Sequence, residues 1–263
     1  MTNTAGITEI AKQLDTAKTS ATATPQLGAE LTISQAYEVQ AEQLRLHRDR
    51  GEKYLGPKLG FTSHAKMEQM GVDSIIVGFL TDAMELDGSQ PIGLEGYIHP
   101  RIEPELVFRL GDEVVPSAED SPEELADRIR AATTDVAVGM ELIDSRYEDF
   151  KFSLTDVVAD NTSAAGFIVD KWQSFPRELS GLAVEFEING DVAETATSDA
   201  ILGNPDNAFL ELAKMALTYE IELSAGAIIL AGAMTSAVWL APNQTVTARV
   251  EGFPELTVRT ETV

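Results

Sequence analysis

The stretch PRIEPEL, residues 100–106, sets Glu103 and Glu105 two positions apart in an otherwise apolar run. Side chains alternate across a strand, so both carboxylates leave by one face and Ile102, Pro104 and Leu106 by the other. Two like charges so placed repel unless water screens them, a proton is shared, or a cation sits between them. A solvated strand face is the ordinary reading of Glu-x-Glu, and a cation site is the chemical one. Three further stretches put polar groups among small or apolar neighbours. GPKLGFTS holds Lys58 between Gly56 and Gly60, where small residues let something approach the backbone closely. VAVGMELIDSR brings Glu141 to the end of an apolar run, followed by Asp144, Ser145 and Arg146. LTDVVADNTSAAGF carries Asp156, Asp160, Asn161 and Ser163. Singly, these read as a snorkelling lysine, a solvated strand end and a polar turn.

In combination they suggest more. Three carboxylates with one lysine suit a hard divalent cation, because Mg²⁺ or Mn²⁺ prefers oxygen ligands and keeps positions open for water or substrate oxygens. Such an ion polarises a carbonyl and stabilises an enolate. A buried lysine beside it is expected to have a lowered pKa, from burial and from the positive neighbour, which brings proton transfer within reach of neutral pH. The residue types point to proton movement next to a 2-oxo acid, and spacing alone goes no further.

The elements that must position these groups are mixed. Ile33, Tyr37, Ala41 and Leu44 recur at helical spacing and stop at Gly51, which predicts an amphipathic helix. A second short helix is expected from Ser63 to Gly71. Ser121, Pro122 and Glu124 form a capping-box start, and Asn204-Pro205 repeats the cap-then-proline arrangement. ELVFRL, VAVGMEL and GFIVD read as strands, and Asn189-Gly190 as a type I′ hairpin turn; the tail TVTARVEGFPELTVRTE reads as a second hairpin. The uncharged stretch 224–242 reads as two buried strands meeting near Gly232, not as a membrane span. Helices interleave with strands at first and strands then dominate. That order predicts an α+β fold, with a mainly helical region over 1–75 and a β-rich catalytic core over 76–263.

Composition narrows the function. The chain has 263 residues with 43 acidic against 19 basic, a formal net charge of -24, which argues against an electrostatic grip on nucleic acid or on an anionic membrane. There is no cysteine, hence no disulfide and no thiolate nucleophile, which accords with a cytoplasmic setting. The first 26 residues lack the apolar core of an export signal and read as an N-terminal arm. No glycine-rich dinucleotide loop, Walker loop or Gly-x-Ser-x-Gly elbow is present, and His47, His64 and His99 stand at no ligand spacing.

GPKLGFTSHAKMEQMGV, GFLTDAM, PRIEPELVFRLGDEV, MELIDSRYEDFKFSLTDVVADNTSAAGF and AGAMTSAV together resemble the 2-oxo-3-hexenedioate (4-oxalocrotonate) decarboxylases. These belong with the 2-hydroxypenta-2,4-dienoate hydratases in the fumarylacetoacetate hydrolase superfamily. The resemblance runs from about residue 50 to the end. It implies a β-rich core of mixed sheets, a divalent metal (Mg²⁺ or Mn²⁺), no organic cofactor, and a place in meta-cleavage aromatic catabolism. By similarity, Glu103, Glu105 and Glu141 are the metal ligands and Lys58 the active-site lysine. Asp82 and Asp156 match acidic positions lining the family's site, and Ser163 a small polar position beside it. Asn161 either touches substrate or braces a turn with Asp160; Arg146 binds a substrate carboxylate or pairs with Asp144.

The implied reaction is loss of the distal carboxylate from (3E)-2-oxohex-3-enedioate. Tyr147, Phe150, Phe152 and Leu154 are candidates for an apolar wall, with Lys151 or Arg146 steering the diacid. The rival reading is a 2-hydroxypenta-2,4-dienoate hydratase using the same ion. A reading of another class, a non-catalytic acidic partner of a hydratase, leaves Lys58 without a purpose. Association with such a hydratase and a homo-oligomeric state are further expectations.

Overall fold

The computed structural model describes residues 4–28, 31–63, 67–68 and 74–261. Two helices open the chain, α1 (Thr4–Thr19) and α2 (Ile33–Asp49). The Thr32 hydroxyl accepts from the Gln35 N–H while the Gln35 side chain accepts from the Thr32 N–H, a reciprocal cap that satisfies two orphan donors. Helical spacing put Ile33, Tyr37, Ala41 and Leu44 inward. Ile33, Tyr37 and Leu44 are half-buried and pack against the core, but the fully buried positions are Ala36, Val39, Gln40, Gln43 and His47, and Ala41 is exposed. The cause is polar. Gln40 Nε2 donates to the carbonyls of Val77 and Val158, at 3.0 Å each, and Gln43 Nε2 donates to that of Ala159. Buried backbone acceptors must be satisfied, and hydrophobic periodicity does not register that demand.

The larger sheet contains β1 (Tyr54–Gly60), β2 (Ile76–Thr81), β3 (Arg101–Leu110), β4 (Thr133–Ile143), β5 (Ala164–Val169) and β9 (Ile228–Ala233), in the order β2-β1-β9-β3-β4-β5. The short β6 (Gln173–Ser174) adds to β4 and β10 (Val238–Trp239) to β3. β1 and β9 run parallel and the other pairs antiparallel, so the sheet is mixed. The second sheet has the order β12 (Leu256–Arg259), β11 (Thr245–Val250), β7 (Ala183–Ile188), β8 (Asp191–Thr197). The division expected at residue 75 falls in the connection between β1 and β2, which pair from Tyr54↔Thr81 to Gly60↔Ile76. The sheet thus begins N-terminal to that point.

Local signals were read correctly where they are self-contained. Asn189 and Gly190, at φ +55° and +87°, turn β7 into β8, and the tail forms the β11–β12 hairpin. Ser121 and Glu124 cap α3 (Pro122–Ala132) reciprocally. Helix α4 spans Leu154–Ala159, and α5 spans Asn207–Thr218. α5 starts later than Asn204-Pro205 suggests, because Asn204 Oδ1 accepts from the Asp206 N–H and holds a turn ahead of the helix. The helix expected over 63–71 lies largely outside the described residues; Met67 and Glu68 are helical, and the Met67 N–H donates to the Ser63 carbonyl. Residues 224–242 form β9, a turn and β10, and no described helix is long and apolar enough to cross a membrane.

β3 and β4 are covered on both faces. Ile102, Leu106 and Phe108 pack with Val136, Val138 and Met140 in the main core, against Leu125 and Ile129 of α3 and Phe209 and Leu212 of α5. Each such side chain contributes roughly 1.5–3 kcal/mol on full burial. A separate cluster joins the helices α1, α2 and α4 through Ile7, Leu14, Val39, Val157 and Val158.

Candidate active site

Strand register assembles the acidic cluster. Glu103 on β3 lies opposite Glu141 on β4, while Glu105 faces Gly139 of β4 on one side and Ala233 of β9 on the other. One carboxylate oxygen from each of Glu103, Glu105 and Glu141 lies within 4.8 Å of the others, and all three residues are buried. The β3–β9 pairing slips between Glu105 and Val107. This bulge lets the Gly232 N–H leave the ladder and donate to Glu105 Oε2 at 2.8 Å. Gly232 has φ +115°, and a Cβ there would fall 2.0 Å from Thr62 Oγ1, so the position requires glycine.

Lys58 reaches the same cluster from β1, where it pairs in register with Gly78 of β2 and Leu230 of β9. Its Nζ lies 2.9 Å from Glu141 Oε2 and donates to the Thr162 carbonyl at 3.3 Å. The side chain is only 3% exposed. Burial works against its charge, but Glu141, Glu105 and Glu103 together outweigh burial and hold Lys58 above its ordinary pKa. The lowered pKa expected from the sequence presumed a cation already among the carboxylates; without one, Lys58 is a firm ammonium. Burial, and then repulsion from Glu141, raises Glu105 well above the usual carboxylate range. Burial raises Glu141 too, against the opposing pull of Lys58.

The donor set fits a hard divalent cation. Among the described residues the three carboxylates face one ammonium, that of Lys58, and Glu105 Oε1 and Glu141 Oε1 have no hydrogen-bond partner. Buried carboxylates in that condition are stabilised by an ion that takes oxygen ligands.

The cluster opens onto a cavity of about 510 Å³ lined by Lys58, Arg101, Glu103, Phe150, Phe152 and Ser163, among others. The Ser163 Oγ is buried and unpartnered among the described residues. Ser163 ends a turn in which Asn161, Thr162 and Ser163 all have left-handed φ, from +49° to +60°. Such residues cost roughly 1–2 kcal/mol each, so the turn must be held from outside. Asn161 does this: its Oδ1 accepts from the Phe79 N–H at 2.7 Å and its Nδ2 donates to the Phe79 carbonyl at 2.9 Å. Both ends of the Asn161 side chain thus engage the Phe79 backbone, a bracing arrangement.

Other expected site residues stand elsewhere. Arg146 is buried and engaged with Asp160, through its side chain and backbone N–H, and with the carbonyls of Asp144 and Ala164. Its carboxylate partner is therefore Asp160, not Asp144, whose side chain accepts instead from the N–H groups of Ile98 and His99. Asp156 caps α4: its carboxylate accepts from the Ser153 N–H at 2.9 Å. Asp82 is exposed, with its carboxylate on the Lys53 N–H at 2.9 Å. Neither aspartate lines the cavity. Tyr147 is fully buried with Leu154 packed nearby in the helical cluster, so of these four Phe150 and Phe152 line the cavity, where Phe61 joins them. Lys151 lines the cavity but is 73% exposed and pairs with Asp149. The residue missed is Arg101. It lies two positions before Glu103, so the alternation that linked Glu103 to Glu105 already put it on their face.

No family model matches the chain. Its fold is shared with a solved Yersinia pestis structure assigned to the fumarylacetoacetate hydrolase family, at 12% identity and a TM-score of 0.58 over 78% of this chain and 93% of that one. At that identity the likeness shows a shared fold, one in which this chain carries the carboxylate cluster. The chain is also 42% identical over 256 residues to a 4-oxalocrotonate decarboxylase of a Pseudomonas species, covering 97% of this chain and 98% of the relative. It is 32% identical to a 2-hydroxyhexa-2,4-dienoate hydratase of Comamonas testosteroni, over 85% and 84%. The solved 4-oxalocrotonate decarboxylase from Pseudomonas putida G7, complexed with magnesium and adipate, matches with a TM-score of 0.92 at 32% identity over 99% of both chains. The chain belongs to the 4-oxalocrotonate decarboxylase family, carbon–carbon lyases related to the dienoate hydratases.

Proposed function

We propose that this protein decarboxylates (3E)-2-oxohex-3-enedioate to 2-hydroxypenta-2,4-dienoate, the enol of 2-oxopent-4-enoate, within meta-cleavage aromatic catabolism in the cytoplasm. The observation that carries this reading is the buried cluster of Glu103, Glu105 and Glu141, with the Lys58 ammonium 2.9 Å from Glu141 and both facing a cavity. Those three glutamates would hold Mg²⁺ or Mn²⁺, which when bound supplies Lewis-acid charge for a 2-oxo acid. The rest falls to the chain's own groups. The substrate's 2-oxo end is oriented toward the cluster and Lys58, and its distal carboxylate toward the aromatic lining. The C5–C6 bond breaks, carbon dioxide leaves, and the electron pair moves through C4 and C3 to the oxygen on C2. Lys58, whose Nζ lies 2.9 Å from Glu141, donates a hydrogen bond to that oxygen as its charge grows and can pass it a proton. Phe150 and Phe152 exclude water from the distal carbon, which disfavours hydration there.

The test is a direct comparison. Purified protein with Mg²⁺ or Mn²⁺ is expected to release carbon dioxide from 2-oxohex-3-enedioate and to hydrate 2-hydroxypenta-2,4-dienoate slowly or not at all. Rapid hydration without carbon dioxide release would transfer the assignment to the hydratases.

A further inference from the structure

We propose that Arg101 is the receptor for the substrate's second carboxylate, the group that leaves as carbon dioxide, and thereby selects a diacid over a monoacid; this rests on the decarboxylase reading above. Arg101, Glu103 and Glu105 share one face of β3. Strand pitch puts the Cα of Arg101 about 7 Å from that of Glu103 and farther from Glu105, a span that a six-carbon chain anchored at the acidic cluster can bridge.

The guanidinium is prepared for an anion. Its central carbon lies 4.1 Å from the Phe150 ring centroid and 3.9 Å from that of Trp239. Trp239 is placed there by register, since it pairs directly with Arg101 across β10 and β3. The two rings are 6.1 Å apart and nearly perpendicular, so they flank the guanidinium on adjacent sides, and its remaining N–H groups are the part that can match a planar carboxylate in two-pronged fashion. Arg109, Arg130 and Arg146 each have a carboxylate partner. Among the described residues Arg101 has none, and its Nε is buried without a hydrogen-bond acceptor. Of the other cavity cations, Lys58 is paired with Glu141, and Lys151 has Asp149 and is mostly in solvent.

The placement has a consequence for turnover. Before the C5–C6 bond breaks, the substrate is held at both ends. Afterwards the leaving group is neutral carbon dioxide, Arg101 has lost its counterion, and the five-carbon product is held at one end only. Because the contact belongs to the ground state and fades as the carboxylate loses charge, its removal should raise KM and leave kcat unchanged or higher.

The experiment measures competitive inhibition of the metal-loaded enzyme, and direct calorimetric binding, with 2-oxoadipate and with 2-oxohexanoate, which lacks the distal carboxylate. Wild type should favour the diacid at least tenfold. Arg101→Met should weaken the diacid roughly tenfold to a hundredfold, the scale of a lost charge-assisted pair, and leave the monoacid within threefold. Arg101→Lys keeps the charge without the planar edge and should reduce the diacid preference at least threefold; this variant decides the matter if Arg101→Met does not fold. Equal weakening of both ligands, or an unchanged preference in both variants, would overturn the proposal. Diacid selectivity that depends on Arg101, in a protein that releases no carbon dioxide, would sustain the receptor and remove the decarboxylase reading.

Discussion

Lys58→Met isolates the ammonium from its apolar stem. Methionine fills most of the same volume on β1, so the packing against β2 and β9 is preserved while the charge 2.9 Å from Glu141 disappears. Removing one partner of a buried pair typically costs about 3–5 kcal/mol, because the remaining charge is left in a poor solvent. Here the lower end applies, since Glu141 is already pushed toward its protonated form and can take up a proton instead of standing bare. For a chain of this size, about 3 kcal/mol corresponds to a Tm lowered on the order of 6–12 °C in the metal-free protein. A bound divalent cation would supply the missing positive charge, so added Mg²⁺ or Mn²⁺ should raise the Tm of the variant by more than it raises that of wild type. Catalysis should not recover with it. The hydrogen bond and proton that Lys58 offers to the developing oxyanion are gone, and a loss of roughly a hundredfold or more in kcat is the expected scale. The assay pairs thermal melts with and without metal against carbon dioxide release at saturating metal. Turnover within threefold of wild type, in a variant that still binds the ion, would refute the catalytic role of Lys58. A metal-free melt unchanged from wild type would refute the reasoning about the buried pair.

Glu105→Gln keeps an oxygen for the Gly232 N–H but removes one of three ligand charges, so Mn²⁺ affinity measured by calorimetry should fall roughly tenfold or more with the fold retained. Chelated wild type should be inactive and recover with Mg²⁺ or Mn²⁺; full activity after rigorous chelation would rule the metal site out. The third expectation concerns pH. His47 is buried against Glu52, 2.7 Å away, and burial, aided by Lys18, lowers its pKa, so the unfolded chain binds the proton more readily than the folded one. Stability should therefore decline as pH falls below about 6.5, the pKa of an unperturbed histidine. Comparing Tm at neutral and mildly acidic pH, His47→Gln should lose part of that decline; an identical pH slope in both proteins would show that His47 does not titrate as argued.

What the sequence determined by itself was local. Alternation put Glu103 and Glu105 on one face of a strand, Asn189-Gly190 turned a hairpin, and Ser121 with Glu124 capped a helix, each because the physics acts within a few residues of the chain. The similarity of whole motifs named Lys58 and Glu141 as their companions, but spacing offered no means of deriving that. Only tertiary structure decided it, through the register that sets Glu103 opposite Glu141 and the bulge that turns the Gly232 N–H onto Glu105. The same holds for polar groups engaged elsewhere in the fold. Asp156 looks as acidic in sequence as Glu105, yet its carboxylate meets the Ser153 N–H in a helix cap, and Arg146 meets Asp160. Arg101 is the converse: its strand parity was legible, but its lack of a carboxylate partner among the described residues and its place against Phe150 and Trp239 arise from segments that come together only on folding. A charged side chain takes its role from whichever donor, acceptor or ring lies within a few ångströms, and in a sheet that neighbour is set by pairing across strands, which no short stretch of sequence encodes.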